Sequence, residues 1–495
     1  MRRGLKSRRA LALVCLAAWL GALLSACLPA AATVRPAPTQ PTRPAPTFPA
    51  VTPLPTRPIY LPGQLVDYVA QSGDTLPALA VRFNTTLKEI RAANPNIPED
   101  ATTMPPGMPM QIPIYYQPFW GSPYKMIPDS LFVNGPAQVG FDPVAFVRAQ
   151  PGWFKDYAFF VDKDTLKGGE LVAQVALDYS LSPRLLLALI EFETGALSQP
   201  QKPEVEADYP LGYVNASNKG IYRQLLWLAN FLNEGYYRWR AGTLKEFDLR
   251  DGRVYRLDPW INASTAALQV YFAKIYAPEI FNQAVQGNGL ASTYRKLFGD
   301  PWTNPQGEFP VNLRQPSLRM PFLPGHTWAF TGGPHTGWGD GEPLSAIDFA
   351  PPTAKGGCSV SSELATAMAD GVIARTGPAI AVLDLDGDGD ERTGWVIFYL
   401  HLASNDAVTL GTRLRTGDPL GHPSCEGGRA TGTHIHIARK YNGEWIPADG
   451  VLAFNLEGWV VKRGSQAYEG TMMRQASVIR ACTCSDQLSF VKAEP

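Results

Sequence analysis

The chain has no surplus of either charge. Its 495 residues carry 44 basic and 44 acidic side chains, and no stretch gathers lysine and arginine into a long basic run. Neutralising a phosphate backbone requires such clustering, so nucleic acid is excluded as the main partner. Past residue 24 there is no apolar run long enough to cross a bilayer. Disorder is excluded as well, because 45% hydrophobic content and 12 tryptophans suit packed domains. The length is too great for one core, so several domains are expected.

At the N-terminus Arg2, Arg3, Lys6, Arg8 and Arg9 precede an almost wholly apolar stretch at 10–24, the pattern of an export signal. It ends in Leu24-Ser25-Ala26-Cys27, which resembles a bacterial lipobox. The resemblance implies a lipoprotein signal at 1–27, lipidation of Cys27 and an extracytoplasmic protein anchored in a membrane and facing the cell wall. An ordinary secretory signal with a chance cysteine is the alternative. Residues 28–63 are dense in Pro, Thr and Ala and read as an extended tether.

Residues 66–115 change character. Tyr68-Val69-Ala70 reads as a strand, and Ser72-Gly73-Asp74-Thr75-Leu76 as a turn capping a helix that carries Leu79, Ala80 and Phe83 at helical spacing. A second helix is expected from about Thr86 to Ala93, ended by Asn94-Pro95, and Met110-Gln111-Ile112-Pro113 reads as a strand. This βααβ order resembles the lysin motif (LysM). The resemblance implies binding of N-acetylglucosamine-containing glycan beside Gly73, Asp74 and Thr75.

Residues 120–315 read as mainly helical. Ser182-Pro183 starts a helix containing Leu185, Leu186, Leu189 and Ile190. The stretch from Tyr179 to Gly195 resembles the catalytic helix of lysozyme-like lytic transglycosylases, and Glu193 matches their general acid. The downstream segment departs from that family, with Gly220-Ile221-Tyr222-Arg223-Gln224 as the nearest echo. Glu191 and Glu193 therefore also read as solvated residues at a helix end.

All 6 histidines fall between positions 326 and 436, in a Gly-rich segment of short β-like runs. In Thr433-His434-Ile435-His436-Ile437, strand alternation sends both imidazoles to one face and both isoleucines to the other. The same alternation in Trp395–Leu402 groups Ile397, Tyr399 and His401 against Phe398, Leu400 and Leu402. An upstream His335 and Asp348 complete a set of N and O donors that suits catalytic zinc. His326 and His422 read as structural loop residues. The carboxylates of Asp384–Glu391 could bind calcium, but the twelfth loop position is Trp395 rather than Glu, and a solvated hairpin tip fits better. Setting aside Cys15 and Cys27, four cysteines allow three pairings. Cys358 with Cys425 is favoured because both flank the metal candidates, whereas Cys482 with Cys484 would close a very small ring.

The constellation resembles the beta-lytic and lysostaphin-type zinc metallopeptidases, which are β-rich peptidoglycan endopeptidases. It covers about 320–465, through Thr331-Gly-Gly-Pro-His335, Ser345-Ala-Ile-Asp348 and Cys425-Glu-Gly-Gly through His434-Ile-His436. The 13-position step from His335 to Asp348 matches the beta-lytic branch. Thr433 departs from the usual Pro. The resemblance implies Zn2+ held by His335, Asp348 and His436, with His401 and His434 acting on water and the oxyanion. The expected fold is multidomain: an α+β LysM domain, a mainly α middle domain, an all-β antiparallel metallopeptidase domain, and a tail at 466–495. Peptidoglycan and a membrane are the expected partners. Two rivals are a non-catalytic amidase activator, whose metal residues would be lost, and a transglycosylase using Glu193.

Overall fold

Thr75 and Thr86 set the first two helices of the described residues. The computed structural model describes residues 57–495 except 116, 118, 119, 162, 203–207, 304–306, 308, 353–356 and 485. The expected signal, Cys27 and most of the tether lie outside the described residues. Thr75 caps α1 (Leu76–Arg82) and Thr86 forms a reciprocal capping box with Glu89 on α2 (Leu87–Ala93). These helices pack on the antiparallel pair β1 (Gln64–Val69) and β2 (Pro109–Ile114), where Val66 stands opposite Ile112. Leu79, Phe83, Ile90 and Ile112 are fully buried between them, giving the expected βααβ domain.

The middle region holds α3 (Pro143–Arg148), α4 (Gly168–Tyr179), α5 (Pro183–Thr194), α6 (Ile221–Ala241), α7 (Ala263–Ile275), α8 (Pro278–Ala284) and α9 (Leu290–Phe298). Ser182 caps α5 by accepting from Leu185 N at 3.2 Å, and Gly195 ends it in the left-handed conformation. Gly235 lets α6 approach α7 closely, because a Cβ there would lie 2.9 Å from Ala267 Cα. Among the described residues no helix is long and apolar enough to cross a membrane.

The C-terminal region is built on a mixed-length antiparallel sheet. Its strands are β3 (Thr327–His335), β4 (Ala346–Ala350), β5 (Gly371–Gly377), β6 (Ile380–Asp384), β7 (Trp395–Leu400), β8 (Arg413–Leu414), β9 (Ile435–Tyr441) and β10 (Glu444–Trp445), with a late strand from Phe490 to Lys492. Their order is β8-β5-β6-β7-β9-β4-β3 and then the late strand, with β10 hairpinned onto β9. Alternation buries both faces. Ile347, Phe349, Ile397, Tyr399, Ile435 and Ile437 enter the domain's own core, whereas Val396, Phe398, Leu400, Ala438 and Trp445 pack against the helical region. Residues 466–495 are not a tail. They supply the strands Gly470–Arg474 and Ser477–Arg480 of a second sheet and the late strand that pairs with β3.

Arg240, at the end of α6, joins all three regions. Its guanidinium donates to the Ser72 carbonyl in the LysM domain, lies 3.3 Å from Asp129, and lies 3.0 Å from Glu444 on β10. Burial alone would lower its pKa, but Glu444, Tyr236 and Asp129 outweigh that and hold it well above the ordinary value.

Candidate metal centre

Sheet register brings the first candidate ligands together. His436 on β9 is the direct partner of Asp348 on β4, and His335 ends the neighbouring β3. His335 Nε2 lies 3.0 Å from His436 Nδ1 and 3.2 Å from Asp348 Oδ1, and His436 Nδ1 lies 3.3 Å from the same oxygen. Among the described residues these three form one of the groups able to hold a metal, and all are buried. Gly332 makes room for the carboxylate, since a Cβ there would sit 2.4 Å from Asp348 Oδ2.

Four backbone carbonyls set the tautomers of four imidazoles. A carbonyl only accepts, so the ring nitrogen facing it must carry the proton. His335 Nδ1 donates to Gly333 at 2.8 Å and His436 Nε2 to Gly337 at 3.1 Å, so Nε2 and Nδ1 respectively turn lone pairs toward Asp348. His401 Nδ1 donates to Glu426 at 2.7 Å and His434 Nδ1 to Gly432 at 2.8 Å, which leaves both Nε2 atoms as acceptors.

The residues fit a zinc ion on these observations. Asp348 Oδ1 is buried and has no hydrogen-bond partner, and two imidazole lone pairs converge on it. Unfilled, this arrangement would leave a buried acceptor unmet, whereas three N/O donors of this kind are the donor set of a catalytic zinc. Burial would raise the Asp348 carboxyl, but the adjacent His335 and His436 hold it well below the usual range. Burial lowers His436, and in His335 the Asp348 charge overcomes burial and raises it.

His401 reaches the site differently from the strand alternation expected. β7 stops at Leu400, and His401 takes a left-handed φ of 72°, uncommon for a residue with a Cβ. The inversion puts Leu402 into the core with Ile397 and Tyr399. It places His401 beside His434, with ring centres 4.4 Å apart, and 6.2 Å from the His436 ring. Burial and the neighbouring His434 push His401 down to about 4. His434 Nε2 lies 3.8 Å from Asp348 Oδ1, so both isoleucines of the His-x-His segment face the core and both imidazoles face the site, as the alternation implies.

One residue at the site carries no signal in the sequence. Tyr468 stacks on the His335 ring at 4.2 Å and 19°, and its backbone bonds to Pro334 and Gly333. It comes from the region expected to be a tail. A disulfide joins Cys358 to Cys425 beside the site, and Cys482 is bonded to Cys484.

The remaining candidates lie elsewhere. His326 and His422 both bond to Glu363, through its carboxylate and its carbonyl respectively. Glu191 is not simply solvated: it accepts from Leu197 N at 2.7 Å and closes the turn after α5. Glu193 is also not solvated; it is buried, and the Tyr276 hydroxyl lies 3.0 and 2.9 Å from its two oxygens. Asp74 is buried too, accepting from Tyr68, Gln71 N and Arg82, while Gly73 faces Arg240 and Thr75 caps α1. In the acidic loop Asp384 accepts from Gly389 N at 2.8 Å, and burial followed by Asp386 raises its carboxyl to about 6. Glu391 turns inward to Lys440 at 2.7 Å.

Comparison with known proteins adds the context. Residues 68–113 match the LysM domain, and residues 125–312 match the family described as "LasA, N-terminal domain". Protease LasA of Pseudomonas aeruginosa is 25% identical over 348 residues, spanning 65% of this chain and 75% of that protein. The beta-lytic metalloendopeptidase of Achromobacter lyticus is 27% identical over 168 residues, spanning 32% of this chain and 41% of that protein. Among solved structures, the deep-sea M23 metalloprotease pseudoalterin aligns at a TM-score of 0.29 and 22% identity, covering 34% of this chain and 96% of that one.

Proposed function

We propose that this chain, a metalloendopeptidase that joins a LysM domain to a peptidase domain similar to LasA and beta-lytic metalloendopeptidase, holds zinc at His335, Asp348 and His436 and hydrolyses stem or cross-bridge peptide bonds of bacterial peptidoglycan. The observation that carries this reading is the convergence of two imidazole lone pairs on the unpartnered, buried Asp348 Oδ1, at 3.2 and 3.3 Å. Zinc in such a site supplies a Lewis acid that polarises a carbonyl and lowers the pKa of water toward about 7.

The chain's own groups supply the proton handling. His401 is neutral at pH 7, because burial and His434 hold it at about 4. Its Nε2, like that of His434, is free to accept a proton from the attacking water and return one to the leaving amine. Once protonated, either imidazole donates toward the oxyanion as charge develops. Tyr468, stacked on His335, restricts rotation of that ring. The non-catalytic rival has less support, because every expected metal and catalytic residue is present. So has cleavage by Glu193, whose two oxygens both face the Tyr276 hydroxyl.

The LysM domain directs the peptidase to wall glycan, and lipidation of Cys27 tethers the extracytoplasmic chain to a membrane. Docking through Gly73, Asp74 and Thr75 requires a displacement. The connector at 309–314 runs across this edge: Phe309 N donates to Ser72 Oγ at 2.8 Å, Thr102 N to Asn312 Oδ1 at 3.0 Å, and Thr102 Oγ1 to the Leu313 carbonyl at 2.6 Å. Product analysis tests the reading. Purified peptidoglycan treated with the full chain should yield new amino termini; anhydro-muramic ends without new amino groups would transfer the activity to Glu193.

A further inference from the structure

The loop between His335 and Asp348 is held to the peptidase domain by Ala448 N on the Leu344 carbonyl at 2.8 Å, by Trp338 against Phe398 and by Arg463 beside Glu342. Residues 336–345 form no strand or helix, and Gly337, Gly339 and Gly341 lie within it, the last two at φ of 78° and 83°. Three glycines raise the entropic cost of ordering such a segment. Yet this loop performs a task at the site, since the Gly337 carbonyl accepts a hydrogen bond from His436 Nε2 at 3.1 Å and so aims Nδ1 at Asp348. Outer partners of this kind fix the ring and the tautomer of a metal-ligating histidine.

A helix of another region holds the middle of the loop as well. On α6, Asn230 Oδ1 accepts from Asp340 N at 2.9 Å, and Glu234 Oε2 accepts from Glu342 N at 2.8 Å. The two acceptors are one helical turn apart, about 5–6 Å, and the two donors are two residues apart in the chain, a matching span of about 6–7 Å. The loop lies flat on the helix, because a Cβ at Gly339 would collide with Asn230 Oδ1 and one at Gly341 would lie 2.6 Å from Glu234 Oε2. The other Glu234 oxygen faces Arg238 at 3.6 Å.

We propose that Asn230 and Glu234 are positioning residues for the metal centre: they anchor the 337–342 loop, whose Gly337 carbonyl orients His436. The helical region is thereby an outer support of the peptidase site. This rests on the zinc reading above and extends it to residues that touch neither metal nor substrate. An outer-shell partner of a ligand is worth about 10–100-fold in metal affinity, and groups one contact further out belong at the low end, about tenfold.

The test is zinc affinity of the full chain, measured by competition with a chromogenic chelator, for Glu234→Ala, Asn230→Ala/Glu234→Ala, Glu234→Gln and His436→Ala. Glu234 is 36% exposed on its helix, so Glu234→Ala keeps the fold testable even if the double variant does not accumulate. The expected result is roughly tenfold weaker zinc binding in the alanine variants, with Glu234→Gln, which keeps an acceptor oxygen, close to wild type. Zinc affinity within twofold of wild type in the alanine variants, while His436→Ala loses it, overturns the positioning role alone. Equal losses in Glu234→Ala and Glu234→Gln also overturn it. Undiminished zinc binding in His436→Ala overturns the metal reading and this inference with it.

Discussion

His401 and His434 stand with their ring centres 4.4 Å apart, and one residue couples their backbones: Ser424 N donates to the His401 carbonyl at 2.7 Å, and His434 N donates to the Ser424 carbonyl at 3.4 Å. The pair sits beside His335, Asp348 and His436 and, on the proposed reading, is not needed to hold zinc. His401→Ala and His434→Ala should therefore each lower kcat by about 10²–10⁴-fold with zinc content unchanged. Metal analysis alongside peptide-release kinetics checks this, and loss of zinc in either variant would make it a ligand instead.

The Cys358–Cys425 bridge closes 67 residues and pins the segment next to Ser424 and Glu426, which hold His401. A loop of that size is worth about 4 kcal/mol on the chain-entropy account. Cys358→Ser/Cys425→Ser should lower denaturant stability by up to about that amount and reduce kcat while retaining zinc. Unchanged stability and rate would remove the bridge from the account.

Glu391 is held within the peptidase sheet by Lys440 on β9 and Arg375 on β5, and Arg375 in turn lies 3.8 Å from Asp178 on α4. Burial alone would raise its carboxyl, but Lys440 at 2.7 Å and Arg375 bring it down from 4.5 to about 2. Burial lowers Lys440 even though Glu391 opposes it; the close contact and the second cation favour the ionised pair. A carboxylate whose folded pKa is depressed contributes stability above its unfolded pKa, and that contribution is lost as pH falls from about 4.5 through about 2. Wild type should thus lose on the order of 2–3 kcal/mol more than Glu391→Gln between pH 6 and pH 2.5, measured by urea unfolding. Parallel pH profiles would contradict it.

Local pattern explains what was legible in the sequence. The LysM helices announce themselves through Thr75, Thr86 and apolar spacing, and the His-x-His strand through alternation. What was not legible depends on long-range geometry. His401 changes face through a single left-handed residue, which no periodicity encodes. Tyr468 arrives from a region without a long apolar run, and Asp74 is buried by Tyr68, Arg82 and a packed neighbour. The loop of glycines between His335 and Asp348 marks a spacing, but its anchors on α6 lie more than a hundred residues upstream.

Glycan docking should be limited by the connector. If the 309–314 segment covers the LysM edge part of the time, the apparent affinity equals the intrinsic one scaled by the open fraction. Asn312→Gly, tolerated where φ is 54°, combined with Thr102→Val should strengthen binding of soluble N-acetylglucosamine oligomers severalfold in calorimetry. Unchanged affinity would mean that the connector does not gate this surface.

The most direct measurement follows amino-group release from purified peptidoglycan by wild type, by zinc-stripped wild type with and without zinc restored, and by His436→Ala. The account predicts activity in wild type, its loss on stripping, recovery on adding zinc, and neither activity nor tight zinc in His436→Ala. Release at the wild-type rate by His436→Ala, or by the stripped protein, would contradict it.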